Sequence, residues 1–153
     1  MKSFKQHIFE KLKVSKSTYT LFPKTTEELK QMIEDEISKN GNRCSLNHID
    51  VSEITDMSGM FQNSIFNGDI SDWDVSSVTN MSNMFNKSKF NGDISNWDVS
   101  SVEFFYSMFR NSIFSGDVSG WKLSPKAKGH IDSIFMNSPL ERTLPAWYYK
   151  YKI

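Results

Sequence analysis

Between Val51 and Lys122 the apolar and polar positions follow one pattern written three times. The phrase beginning Val51-Ser-Glu-Ile-Thr-Asp-Met returns as Val75-Ser-Ser-Val-Thr-Asn-Met and as Val99-Ser-Ser-Val-Glu-Phe-Phe. Trp73, Trp97 and Trp121 stand 24 residues apart, as do Gly68, Gly92 and Gly116. A fixed period of this size marks a repeat architecture, in which each unit buries its apolar face only by stacking on its neighbours.

Each unit has two halves. The first places apolar residues at Ile70, Trp73, Val75 and Val78, then at Ile94, Trp97, Val99 and Val102, with Leu46, Ile49, Val51 and Ile54 upstream. This spacing predicts the strand-bearing half of a leucine-rich-repeat rung. The second half carries Met57-Met60-Phe61, Met81-Met84-Phe85 and Phe105-Met108-Phe109, which share one face of a helical turn. Phe66, Phe90 and Phe114 follow, and Asn67-Gly68-Asp69 and Asn91-Gly92-Asp93 turn the chain back. The fold class expected from this pattern is α/β. It is a short right-handed leucine-rich-repeat-like solenoid, with a parallel sheet of about five short strands, helical turns, and a cap at both ends.

The flanks continue the pattern. Downstream the register lengthens from 24 to 26 residues near Pro125, after which Ile131-Ile134-Phe135 match Phe105-Met108-Phe109, and Trp147 matches Trp121. Residues 139–153 are expected to form the C-terminal cap. Upstream, Leu29-Met32-Ile33 lie in a polar helix over residues 25–40. Thr25 or Thr26 is expected to cap that helix, and Asn40-Gly41 to end it. The solenoid thus spans 25–153. Residues 14–24 read as a linker, and residues 1–13 as an amphipathic helix with Phe4, Ile8, Phe9 and Leu12 on one face.

Charge and composition narrow the function classes. Lys+Arg and Asp+Glu are both 18, a balance that argues against a nucleic-acid binder. One cysteine, Cys44, and three histidines leave no disulfide and no zinc spacing, so no metal or cofactor is expected. No run approaches the length of a membrane span and no signal-peptide run is seen, so a cytoplasmic or virion location is expected. No Ser-His-Asp order or Gly-rich phosphate loop is present, and no enzymatic activity is expected.

The words from Asn67 to Phe85, repeated from Asn91 to Phe109, resemble the repeats of the BspA-like bacterial surface-protein family. Similar repeats occur in mycoplasma-type lipoproteins and in some bacteriophage proteins. The resemblance implies a leucine-rich-repeat-like fold used for adhesion or protein binding, without catalysis. The segment Met1–Leu12 is similar to short leaders on proteins of gut-bacterial phages, which adds a virion-associated reading.

Candidate binding residues lie at two places. Asp50, Asp72, Asp74, Asp98 and Lys122 fall between apolar strand positions and would point outward. Strands stacked at ~4.8 Å would set Asp50, Asp74 and Asp98 in a like-charged ladder, suited to a cation or a basic partner segment. The same aspartates also suit Asx-turns that order the bend in every unit. At the C-terminus, Trp147, Tyr148, Tyr149 and Tyr151 beside two lysines read either as an aromatic binding patch or as the seal of the repeat end. Phe4, Ile8, Phe9 and Leu12 read as a docking face for a partner or a membrane surface, or as packing on the solenoid. The function expected is a non-catalytic protein–protein interaction module. The alternatives are a structural or virion component and, behind it, a cell-surface adhesin. Its partner is a protein, and the chain is expected as a monomer or as a subunit of a larger assembly.

Overall fold

The computed structural model of the protein describes residues 19–152, so the predicted helix at residues 1–13 lies outside the described residues. The first regular element among the described residues is helix α1, Thr26–Asn40. Its N-cap is Thr25, whose hydroxyl oxygen accepts from the Glu28 backbone N–H. Glu27 and Glu28 sit in its first, electropositive turn, and it ends at Gly41. Leu29 and Ile33 are its buried residues and face the repeats. Helix α2, Ala146–Tyr151, lies at the other end, preceded by short 3-10 turns at Pro125–Ala127 and Pro139–Arg142.

Between these ends the expected α/β class, with a right-handed leucine-rich-repeat-like solenoid and a parallel sheet, is overturned. Among the described residues there is no strand and no sheet, and the repeats contain no α-helix. Only isolated parallel bridges occur, Leu21 with Ile49, Ser45 with Asp69, Asp56 with Asn80, and Asn80 with Phe104.

The reason is that the apolar-x-x-apolar brackets close turns. The N–H of Trp73 donates to the carbonyl of Ile70, Val78 to Val75, Trp97 to Ile94 and Val102 to Val99, at 3.0–3.2 Å. A bonded turn brings its first and fourth residues together, so both apolar ends point into the core. The segment expected to be helical is also a run of turns. Met84 donates to Met81, Asn86 to Asn83 and Ser88 to Phe85, each three residues back instead of the four of an α-helix. Left-handed residues interrupt it at Gly59 and Asn63, Asn83 and Lys87, Ser107 and Asn111, and Ser133 and Asn137, with φ between 54° and 65°. A residue at positive φ stops both helix and strand.

The alternate N–H groups cross to the next unit. Met81, Asn83, Phe85 and Lys87 donate to the carbonyls of Phe104, Tyr106, Met108 and Arg110 at 2.8–2.9 Å. Met57, Gly59, Phe61 and Asn63 do the same to Asn80, Ser82, Met84 and Asn86, as do Phe105, Ser107, Phe109 and Asn111 to His130, Asp132, Ile134 and Met136. The backbone is thus satisfied partly within a unit and partly between units, and no unit is complete alone.

Side chains follow the same register. Phe61, Phe85, Phe109 and Phe135 stack at centroid separations of 5.6, 5.6 and 5.9 Å. Phe66, Phe90 and Phe114 form a second column at 6.3 and 6.2 Å, and Trp73 stacks on Trp97 at 6.5 Å. These spacings fall in the favoured range for offset aromatic pairs. Gly68 is needed for close approach, since a Cβ there would lie 1.9 Å from the carbonyl oxygen of Cys44. Residues 19–21, at the end of the segment read as a linker, add a further pairing. Thr20 and Leu21 donate to the His48 carbonyl, and Leu21 accepts from the Asp50 N–H.

Candidate functional site

The outward aspartates are engaged by the chain itself. The Oδ1 of Asp50 accepts from the Ser52 N–H, that of Asp74 from the Ser76 N–H, and that of Asp98 from the Ser100 N–H, at 3.0–3.1 Å. The hydroxyls of Ser76 and Ser100 donate to the same oxygens at 2.6 and 2.5 Å. A second set, Asp69, Asp93 and Asp117, makes the same Asx-turn with Ser71, Ser95 and Ser119. The serine hydroxyl, with the serine N–H behind it, holds the carboxyls of Asp69, Asp93, Asp98 and Asp117 below the ordinary aspartate pKa. Asp72 is exposed, and its own N–H donates to Asn47 Oδ1 at 3.1 Å. Lys122, also exposed, occupies the position of Asp98 one unit on.

The C-terminal aromatics divide between core and surface. The indole of Trp147 donates to the Val118 carbonyl at 2.8 Å, and the Tyr151 hydroxyl donates to the Leu123 carbonyl at 2.8 Å. Tyr151 is buried, Trp147 and Tyr148 are half-buried, and Tyr149 is 71% exposed. The Phe135 ring packs against both Trp147 and Tyr148, so α2 lies against the last repeat. Between them is a groove of 660 Å³, walled on the repeat side by Ser133, Phe135 and Met136 and on the other by Leu144, Tyr148 and Tyr149. Asp132, Glu141 and Lys152 complete its lining, with the Lys152 ammonium 5.3 Å from the centre of the Tyr148 ring.

The structure therefore brings Tyr148 and Tyr149 into one groove and leaves Asp50, Asp72, Asp74, Asp98 and Lys122 along the repeats. Phe4, Ile8, Phe9 and Leu12 lie outside the described residues. Met136, Asp132 and Leu144 were not among the site residues expected from the sequence. Met136 gave a usable signal, because in the shifted register it follows a buried phenylalanine where the other units carry Gln62, Asn86 and Arg110. Another departure is the cluster of Phe104, Tyr106 and His130. Phe104 and Tyr106 replace the Asn80 and Ser82 of the unit before, and the Tyr106 hydroxyl is hydrogen-bonded to His130 Nδ1.

Among the described residues no group of three or more His, Cys, Asp or Glu side chains is placed to hold a metal. No helix there is long and apolar enough to cross a membrane. Cys44 is half-buried, and burial pushes its thiol pKa up, away from the reactive thiolate.

No curated protein and no solved structure matches the chain. Residues 27–147, from helix α1 to Trp147 in α2, match the family described as Mycoplasma protein of unknown function, DUF285. That match covers most of the sequence, with every repeat inside it, and the chain belongs to the DUF285 family.

Proposed function

We propose that the protein is a non-catalytic protein–protein interaction module, with the groove between the last repeat and α2 as its principal contact site. The resemblance of the Asn67–Phe85 words to BspA-like repeats supports the same class of function. The observation that carries the reading is the groove's anatomy. Its lining combines Met136, 38% exposed, and Tyr149, 71% exposed, with Phe135, Leu144 and Tyr148, and adds the charged Asp132, Glu141 and Lys152. Aromatic and methionine side chains with polar groups beside them are the composition of protein interfaces. The aspartates of the repeats are already paired with serines, which makes them scaffold first and contact residues second.

In-cell photocrosslinking tests this. A photoreactive amino acid in place of Tyr149 is expected to yield a discrete protein adduct, while one in place of Ser101 on the repeats yields none. Absence of any adduct from position 149 contradicts the proposal.

A further inference from the structure

We infer that the groove receives an extended polypeptide segment of a partner protein, whose backbone carbonyls continue the cross-unit ladder and which carries a lysine or arginine opposite Asp132. This rests on the interaction reading above and specifies the form of the partner.

The ladder supplies the reason. In each of three successive units the alternate N–H groups donate to carbonyls of the unit that follows. The corresponding donors of the last unit are Ile131, Ser133, Phe135 and Asn137. The Asn137 N–H donates to Glu141 Oε2 at 3.0 Å, so the chain provides its own acceptor there. Among the described residues, no acceptor meets the N–H groups of Ile131, Ser133 and Phe135. Ser133 and Phe135 line the groove. The groove therefore lies where a following unit would sit, beside a row of donors at two-residue spacing. Carbonyls at that repeat distance belong to a polypeptide backbone, and pairing along an open edge is an established mode of peptide recognition.

Side chains narrow the occupant further. Asp132 is exposed at the groove, and Glu141 lies at its far end beside the donor row. Among the described residues the single cation in the lining, Lys152, lies over the Tyr148 ring and in the field of Asp132, but makes no ion pair with it. A cationic side chain on the incoming segment would thus meet Asp132 in front of two tyrosines. A second copy of this chain fits poorly, because the first carbonyl of its matching row, that of Asp56, is already taken by α1. The Thr26 hydroxyl there donates to the Asp56 carbonyl at 2.8 Å, and Leu29 and Ile33 are buried against the repeats.

The test uses the full chain and a displayed library of random twelve-residue peptides. Amide hydrogen exchange is read before and after adding a synthetic copy of the best-enriched peptide. In the free chain, the Ile131, Ser133 and Phe135 amides are expected to exchange at least about 100-fold faster than their counterparts Phe105, Ser107 and Phe109. The peptide is expected to protect all three, and Asp132→Lys to weaken its binding at least about tenfold. Equal protection in the free chain overturns the inference, because residues 1–18 or a second copy then already cover the edge. Peptides that bind without protecting the three amides overturn it too, while leaving the interaction reading intact. A library that yields no binder also overturns it, and the crosslinking from position 149 then decides the broader reading separately.

Discussion

The indole Nε1 of Trp97 donates to the backbone carbonyl of Ile70, 3.1 Å away in the preceding unit. Trp73, Trp121 and Trp147 make the equivalent bond to Leu46, Ile94 and Val118. The tryptophan column is thus both core and crosslink in the four units that carry it, while the first unit has Ile49 at that position. Trp97→Phe removes the donor and leaves space beside Phe85, and should cost about 2–3 kcal/mol. Phe85→Ala, which empties the middle of the phenylalanine column, should cost about 3–5 kcal/mol. Urea denaturation followed by circular dichroism measures both.

Ser107 gives a test whose sign separates turns from helix. Its φ is 54°, a region where a side chain is strained and glycine is not. Ser107→Gly should therefore stabilise the protein by about 1 kcal/mol. Inside a helix the same change would destabilise it by a few tenths of a kcal/mol or more. The midpoint shift in urea reads the sign directly.

This position also shows where sequence reading stops. The period, the aromatic columns and the lengthened last register were legible, because apolar side chains recur at fixed intervals whatever path the backbone takes between them. The path itself was not. Met81, Met84 and Phe85 have the spacing of a helical face, yet two left-handed residues, Asn83 and Lys87, convert the segment to turns. Serine and lysine do not announce positive φ as glycine does, and the hint carried by Gly59 and by Asn63, Asn83, Asn111 and Asn137 is outweighed by the helical spacing of the apolar residues. Ile70 and Trp73 suited a strand as well as a turn, and the bond between them decides it. At the site, the tyrosines stood out by type, but the donors of Ile131, Ser133 and Phe135, which meet no acceptor among the described residues, are backbone groups that no side-chain pattern encodes.

Gly68 should tolerate no side chain. A Cβ would stand 1.9 Å from the Cys44 carbonyl oxygen, which is itself bonded to the Asp69 N–H. Gly68→Ala must displace backbone, and should cost about 3 kcal/mol, the upper end of overpacking effects. Gly120→Ala, with nothing within 4 Å of the added carbon, should be close to neutral. Thermal melting of the two variants side by side checks the contrast.

The Asx-turns predict an acid dependence. The Asp98 carboxyl is held below its ordinary pKa by the Ser100 hydroxyl and N–H, so folding favours its charged form. Its contribution is present above the unfolded-state pKa and is lost as pH falls through the lower, folded one. Asp98→Asn keeps an oxygen acceptor, as Asn80 does for the Ser82 N–H at 2.9 Å. The variant should match the parent near neutral pH to within about 0.5 kcal/mol. Its stability should fall less steeply with acid below about pH 4. Urea midpoints across that range report the slope.

The most direct measurement is of the hydrogen bonds themselves, through trans-hydrogen-bond NMR couplings on the labelled chain. The Phe85 amide nitrogen should couple to the carbonyl carbon of Met108, and Met81 to that of Phe104, one unit ahead. Coupling from Phe85 to Met81 instead, four residues back, would mark a helix and contradict the cross-unit ladder.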